Sequence, residues 1–422
     1  MKRTVRDNRD RPHPKPVESI ELSGENVGMR LFFAVAFLLL GVGMLVYALF
    51  QFLSPQSDWV AIESGAGTGC GEEFTLLYHP GAGEMSSAEE RKGVSALYSQ
   101  LCQTAYQQFN SREEFEGVNN VYAINRHPNE TLVVDRALYD AFAVSEASGS
   151  RLLYMGPVYN RYDDVFFCED DSQLADFDPR LSEDVAREYR DVLAFANDPG
   201  AVRLELLGEN KVRLSVSEAY LAYAAQEEFE DFIDFTWTRN AFIADYMARE
   251  LTARGYVHGV LSSSDGFIRN LDDSGTDYSL QILDRREGGA YVAALTAYRG
   301  PMSVVSLWDY PAYEQDRYRF YVMDTGEVRT PYLDPADGLC RSAVRNLTGY
   351  ARDKGCGELL MALAPVYIAD ELSADELVRM AAEGVQSVYC QDGVVWHTDP
   401  ALKLSHFNEE QGGRYTPALL ES

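Results

Sequence analysis

Basic residues are scarce and unevenly placed: 37 Lys and Arg stand against 66 Asp and Glu, and none occurs between Arg30 and Arg91. A net charge of −29 makes nucleic acid or anionic lipid a poor partner for the bulk of the chain, because phosphate binding needs dense positive charge. The six cysteines (Cys70, Cys102, Cys168, Cys340, Cys356, Cys390) contain no Cys-x-x-Cys pair, which argues against a zinc cluster. The six histidines (His13, His79, His127, His258, His397, His406) lack metal-ligand spacing, and no glycine-rich phosphate loop follows a strand pattern. No internal repeat is evident.

One long apolar run is present. Leu31 to Phe50 (LFFAVAFLLLGVGMLVYALF) carries no charge, and at about 1.5 Å per helical residue it spans a bilayer core of about 30 Å. Lys2, Arg3, Arg6, Arg9, Arg11, Lys15 and Arg30 precede it, so the positive-inside rule puts the N-terminus in the cytoplasm and the rest of the chain outside. A cleaved signal peptide is the competing reading, but no small-x-small cleavage site follows Phe50. The expected order is a basic cytoplasmic tail (1–30), a transmembrane helix (31–53), a Gly/Ser-rich stalk (54–83), a folded extracytoplasmic domain (84–398) and a polar C-terminal tail (399–422). All six cysteines then lie where disulfides are permitted, as buried thiols or as one or two bridges of undetermined pairing.

Within the domain, Ser87 and Glu90 form a capping box ahead of Val94, Leu97 and Leu101. Helical patterns follow at Ser182–Phe195, Thr238–Arg254, Gly357–Ile368 and Ser373–Glu383. Val202–Val216 reads as a hairpin turning at Gly208, Glu209 and Asn210. Strand patterns recur at Val257–Ser262, Tyr278–Leu283, Tyr291–Tyr298, Tyr318–Met323, Val344–Tyr350 and Val385–Cys390. Helices and hairpins mixed in this way define an α+β class rather than a strict βαβ alternation.

Several segments, taken in order, match the motifs of one known family. Val121–Arg126 (VYAINR) is similar to an early family strand, and Gly156-Pro157 to a turn on the flavin side. Asp234–Asp245 (DFTWTRNAFIAD) has the length of the family's D-L-G-G-I-A-K-G-Y-A-V-D and keeps both end aspartates. Gly259–Ile268 stands where the family has a strand ending in G-G-D. Val304–Tyr310 (VVSLWDY) matches V-A-T-S-G-D-Y, Pro331–Gly338 (PYLDPADG) matches H-I-x-D-P-x-T-G, and Gly355–Leu363 occupies the place of the helix A-D-A-L-A-T-A. Together these segments, from Ser87 to His397, resemble the ApbE-type flavin transferases, which implies an ApbE-like, T-fold-related mixed sheet-and-helix domain. It also implies an Mg²⁺-dependent enzyme that moves FMN from FAD onto a threonine of a target protein, outside the cytoplasmic membrane.

The chemistry-bearing positions depart from the family. Its lysine falls on Asn240 and its histidine on Pro331, which has neither an exchangeable proton nor a backbone donor. Its metal-binding aspartate and threonine fall on Gly357 and Met361, where a hard cation finds no side-chain oxygen; a one-residue slip would offer Glu358. On the cofactor side the resemblance points to Gly156, Asp234, Asp245, Asp265, Ser306, Trp308, Asp309 and Asp334, with Trp308 either stacking on a flavin or filling its pocket. Ser64–Cys70 (SGAGTGC) differs by an inserted glycine from the S-G-A-T of flavin-accepting proteins.

The expectation is a membrane-anchored extracytoplasmic domain whose transferase site has degenerated, serving to bind or scaffold a flavin, an envelope flavoprotein or an active transferase. An active, divergent FAD:protein FMN transferase holding Mg²⁺ on other carboxylates is the alternative, and it needs an open cleft with carboxylates within metal reach. A third class, a surface adhesin or wall-binding module, needs a large exposed aromatic face.

Overall fold

The computed structural model describes residues 59–65, 67–82, 86–286, 289–312, 316, 318–407 and 415–421. The anchor expected at Leu31–Phe50 lies outside them, and among the described residues no helix is long and apolar enough to cross a membrane.

In chain order the elements are β1 (Val60–Ile62), β2 (Phe74–Tyr78), α1 (Ser87–Gln108), α2 (Val121–Arg126), β3 (Thr131–Val133), α3 (Arg136–Ser148), α4 (Gly156–Tyr162) and α5 (Glu183–Ala196). The hairpin β4 (Val202–Gly208) and β5 (Lys211–Val216) precedes α6 (Glu218–Gln226) and α7 (Arg239–Ala253). Then come β6 (Gly259–Ser263), β7 (Phe267–Asn270), β8 (Asp277–Arg286), β9 (Gly289–Arg299), β10 (Met302–Trp308), β11 (Tyr321–Val322), β12 (Val328–Arg329) and β13 (Asn346–Ala351). The chain closes with α8 (Cys356–Tyr367), α9 (Ala374–Ala382), β14 (Gln386–Gln391), β15 (Val394–His397), β16 (Leu404–Ser405) and β17 (Thr416–Leu419).

A nine-stranded sheet ordered β1-β2-β6-β7-β10-β13-β14-β15-β17 organises the fold, and its pairs are antiparallel except β15 with β17. Alternation along β10 divides its side chains between two cores. Val305 and Leu307 join the core beneath the helices, whereas Met302 and Val304 join a smaller core with Leu280, Ile282 and Ala294 of the β8–β9 hairpin. Helix α8 lies directly on the sheet: a Cβ at Gly349 of β13 would stand 2.3 Å from Leu363. The β4–β5 turn carries Glu209 and Asn210 at φ +51° and +58°, the left-handed pair that a two-residue hairpin turn requires.

Four expectations are corrected. Val121–Arg126 is a helix, because the Asn120 side chain accepts from the Ala123 amide at 2.9 Å and caps it. The described part of the 54–83 segment is not a stalk: β2 pairs with β6, and Phe74, Leu76 and Tyr78 are buried. In the C-terminal segment β17 completes one edge of the large sheet, and β16 pairs with β9. The strand expected at Tyr318–Met323 is shorter, reduced to Tyr321–Val322.

Leu76→Ala is therefore expected to cost about 2–5 kcal/mol, the range for a fully buried Leu. Chemical denaturation would show a lowered midpoint, whereas a stalk residue would leave it unchanged.

Candidate functional site

The site is built around the loop that leads into α7. The Asn125 carboxamide on α2 accepts from the Phe232 and Ile233 amides (3.1 and 3.0 Å) and donates to the Ile233 carbonyl (2.8 Å). Asp234 accepts from Ser111 Oγ (2.7 Å) and the Thr236 amide (2.9 Å). Gly156 lets α4 pack under this loop, since a Cβ there would come within 2.7 Å of the Asp231 carbonyl oxygen. So braced, Thr236 sits at φ +45°, a conformation that costs a β-branched residue about 1–3 kcal/mol.

In front of the loop opens a cleft of about 750 Å³, within the size range of small-molecule sites. Thr236, Trp237, Arg239 and Asn240 line one wall, Ser264, Asp265, Arg319 and Pro331 another, and Arg112, Tyr122, Arg126, Asn160, Asp163, Asp164 and Asp231 the rest. Trp237 is fixed by its Nε1 donating to Tyr159 OH (2.9 Å) and by an edge contact with Tyr332. At the rim Phe167 and Tyr318 are 65% and 54% exposed, with ring centroids 6.3 Å apart.

The cleft floor is a hydrogen-bonded cluster of an arginine, a carboxamide and two carboxylates. Asn240 Nδ2 bridges Glu73 Oε2 (2.9 Å) and Asp265 Oδ2 (3.0 Å), and Arg239 Nη2 reaches the same Glu73 oxygen (2.5 Å). Asp265 Oδ1, Asn240 Oδ1 and Arg239 Nε are buried without hydrogen-bond partners. Burial raises the Asp265 carboxyl above its ordinary range against the pull of Arg319. Burial likewise raises Asp231, and it lifts Asp163 to about 6 despite Arg112 at 3.5 Å.

The other sequence-derived residues lie apart from this cleft, most with partners of their own. Asp245 accepts from the Cys356 and Gly357 amides at the start of α8 (2.7 and 2.8 Å) and from Arg269 Nη1 (3.0 Å); burial raises its carboxyl, opposed by Arg269 and these amides. Asp309 takes Ser342 Oγ (3.1 Å) and Arg345 (3.2 Å), and Asp334 takes Arg341 (3.0 Å) within a turn. Ser306 and Trp308 line a separate pocket of about 300 Å³. Trp308 packs over Gly266, and the Arg319 guanidinium stands 5.5 Å from its ring centroid, so the indole faces away from the cleft's lining. Glu358 accepts from the Gly355 amide (3.0 Å) and caps α8. Among the described residues the cleft carboxylates form no trio with ligand atoms within 4.8 Å of one another; His258, Asp272 and Asp273 do, elsewhere.

Sequence reading missed Glu73, Asp163 and Asp231, and the arginines Arg112, Arg126, Arg239 and Arg319. Arg239 alone carried a usable signal, being the one cation inside the Asp234–Asp245 segment. Glu73 lies 167 positions from the asparagine it holds.

Solved structures share this architecture. The ApbE protein of Thermotoga maritima superposes with a TM-score of 0.52 at 13% identity, over 78% of this chain and 93% of that one. The flavin transferase ApbE of Vibrio cholerae gives 0.50 at 14% identity, over 79% and 92%. No protein-family model matches the chain, and no curated protein matches it in sequence. The chain thus has a mixed α+β fold of the ApbE kind, with a sequence far diverged from those proteins.

The residues present do not fit the Mg²⁺ that the resemblance implies. Gly357 and Met361 are buried, and a Cβ at Gly357 would meet the Phe242 ring at 2.7 Å and Asp245 Oδ2 at 3.4 Å. Phe242 occupies the space a carboxylate would need, and Arg269 already supplies the positive charge beside Asp245. Gly357→Asp should therefore destabilise by about 1–3 kcal/mol through overpacking. Millimolar Mg²⁺ should leave its melting temperature where it is; a rise specific to Mg²⁺ would show that the position still accepts a metal.

Proposed function

We propose that this protein is a membrane-anchored extracytoplasmic domain that binds a flavin, or presents one to envelope redox proteins, without transferring FMN. The observation that carries the reading is the pairing of an open cleft with a closed metal position. The cleft at Asn240, Asp265 and Pro331 keeps about 750 Å³, while Gly357 is blocked by Phe242 and Asp245 is tied to Arg269. Phosphoryl transfer depends on a metal and positive charge gathered on the phosphate oxygens. Here Arg239 is engaged by Glu73, and the lost histidine is a proline.

The cleft suits a planar, partly anionic ligand. Phe167 and Tyr318 offer aromatic faces at the rim, and Arg112, Arg126 and Arg319 supply cations within, paired with Asp163, Glu230 and Asp316. The adhesin reading has less support: Tyr78, Tyr98, Tyr154, Tyr159, Tyr162, Tyr189, Tyr220, Tyr310, Tyr332 and Tyr367 are fully buried as core.

The full chain in detergent is expected to bind FAD, followed by flavin fluorescence, with an affinity that EDTA changes less than about twofold. It is also expected to leave an S-G-A-T target protein unlabelled in a denaturing gel with FAD and Mg²⁺; a fluorescent target band would sink the reading in favour of the active transferase. Phe167→Ala with Tyr318→Ala should weaken FAD binding about tenfold, the worth of a lost aromatic contact. Asp163, near pH 6 in the fold, takes up a proton as pH falls from 7.5 to 5 and removes a negative charge from the cleft. FAD affinity should rise about three- to tenfold over that interval and lose this dependence in Asp163→Asn.

A further inference from the structure

All six cysteines are free thiols, yet two of them meet. Cys70 lies between β1 and β2, and Cys102 lies on α1. The Cys70 amide donates to the Cys102 carbonyl (3.5 Å) and the Cys70 thiol donates to the same oxygen (3.4 Å), which brings the two residues together. Both are buried, Cys70 at 2% exposure and Cys102 at zero. The approach is set by the backbone: Gly69, at φ +52°, is so close that a Cβ would stand 2.5 Å from the Cys102 carbonyl oxygen. Three other thiols lie against different groups. Cys340 contacts Thr330, Cys356 donates to the Ile268 carbonyl, and Cys168 donates to the Asp164 carbonyl.

We propose that Cys70 and Cys102 form a disulfide that staples the β1–β2 segment to α1 when the chain folds in the presence of a disulfide oxidant such as glutathione disulfide. The exchange proceeds before the segment closes over α1. The Cys102 thiolate attacks one sulfur of the oxidant and expels one glutathione thiolate; the Cys70 thiolate then attacks the Cys102 sulfur of the mixed disulfide and expels the second glutathione. Two protein thiols and one glutathione disulfide thus become one cystine and two glutathione thiols, the oxidant receiving both electrons. The bridge closes a loop spanning 32 positions, enough to restrict the unfolded chain appreciably.

The staple bears on the cleft without depending on its ligand. Three residues after Cys70 stands Glu73, which accepts from Arg239 and Asn240. Fixing Cys70 therefore fixes the acceptor that orients both side chains.

Peptide mapping of the full chain tests this. Folded in a glutathione disulfide buffer, denatured with iodoacetamide and no reductant, then digested, it should yield one cystine joining the Cys70 and Cys102 peptides and four alkylated cysteines. Six alkylated cysteines, or a bridge between other positions, would overturn the proposal. Cys340→Ser should retain the bridge, and Cys70→Ser should leave Cys102 alkylated. Reduction should lower the thermal midpoint of the wild type by about 5 °C and leave that of Cys70→Ser unmoved; equal responses would count against the staple. None of these outcomes turns on flavin binding, so they are separable from the functional reading.

Discussion

Asp245 brings three elements to one point. Its carboxylate projects from α7, accepts two amides at the start of α8, and pairs with Arg269 on β7. The amides are the ones a helix leaves unsatisfied at its N-terminus, and the carboxylate is favourably placed against the helix dipole. The guanidinium adds Ser303 Oγ (2.8 Å) and the Lys354 carbonyl (3.3 Å), so β10 and the turn before α8 are held by the same group. A partly buried ion pair of this kind adds little net stability over an apolar pair, but removing one partner leaves a charge poorly compensated. The positions of α7 and α8 over the sheet, and so the wall of the cleft, follow from that constraint.

The same solution recurs at a distance. Asp309 has Arg345, Asp334 has Arg341, and Glu73 has Arg239. Each of these carboxylates is paired locally with a guanidinium, and Arg341 reaches Asp337 and Asp370 as well as Asp334. The strongly acidic composition is thereby compatible with a packed interior.

The fold was legible because its signals are local. The Ser373 cap, the Gly208–Asn210 turn and the ordered motifs each act over a few positions and carried the architecture; the box expected at Ser87 and Glu90 is shifted, since Ser86 caps α1 on the Glu89 amide and Glu90 accepts from Tyr78 OH and the Gly81 amide. Failures came where a partner decides the outcome. Phe74–Tyr78 alternates cleanly between buried and exposed residues, but its glycine-rich surroundings masked it, and only pairing with β6 makes it core. In VYAINR, β-branched and aromatic residues favour a strand, yet one capping asparagine turns the segment into a helix. At the site, the replaced positions could be named from sequence, while what filled them could not. Phe242 belongs to the same segment as Asn240, but its contact with Gly357 depends on how two helices cross. Whether Trp308 would enter the cleft was equally a matter of packing, settled by Gly266 and Arg319.

Both edges of the large sheet come from the ends of the described chain: β1 and β2 on one side, β17 on the other. Edge strands present unpaired backbone groups, and short ones limit the hazard. Here the outermost strands have three and four residues. A fragment cut to the boundaries 84–398 would lose both borders and bare β6 and β15 along their length. Such a truncation would convert two protected interior strands into templates for self-association, so the segments that looked dispensable act as the molecule's guard against aggregation.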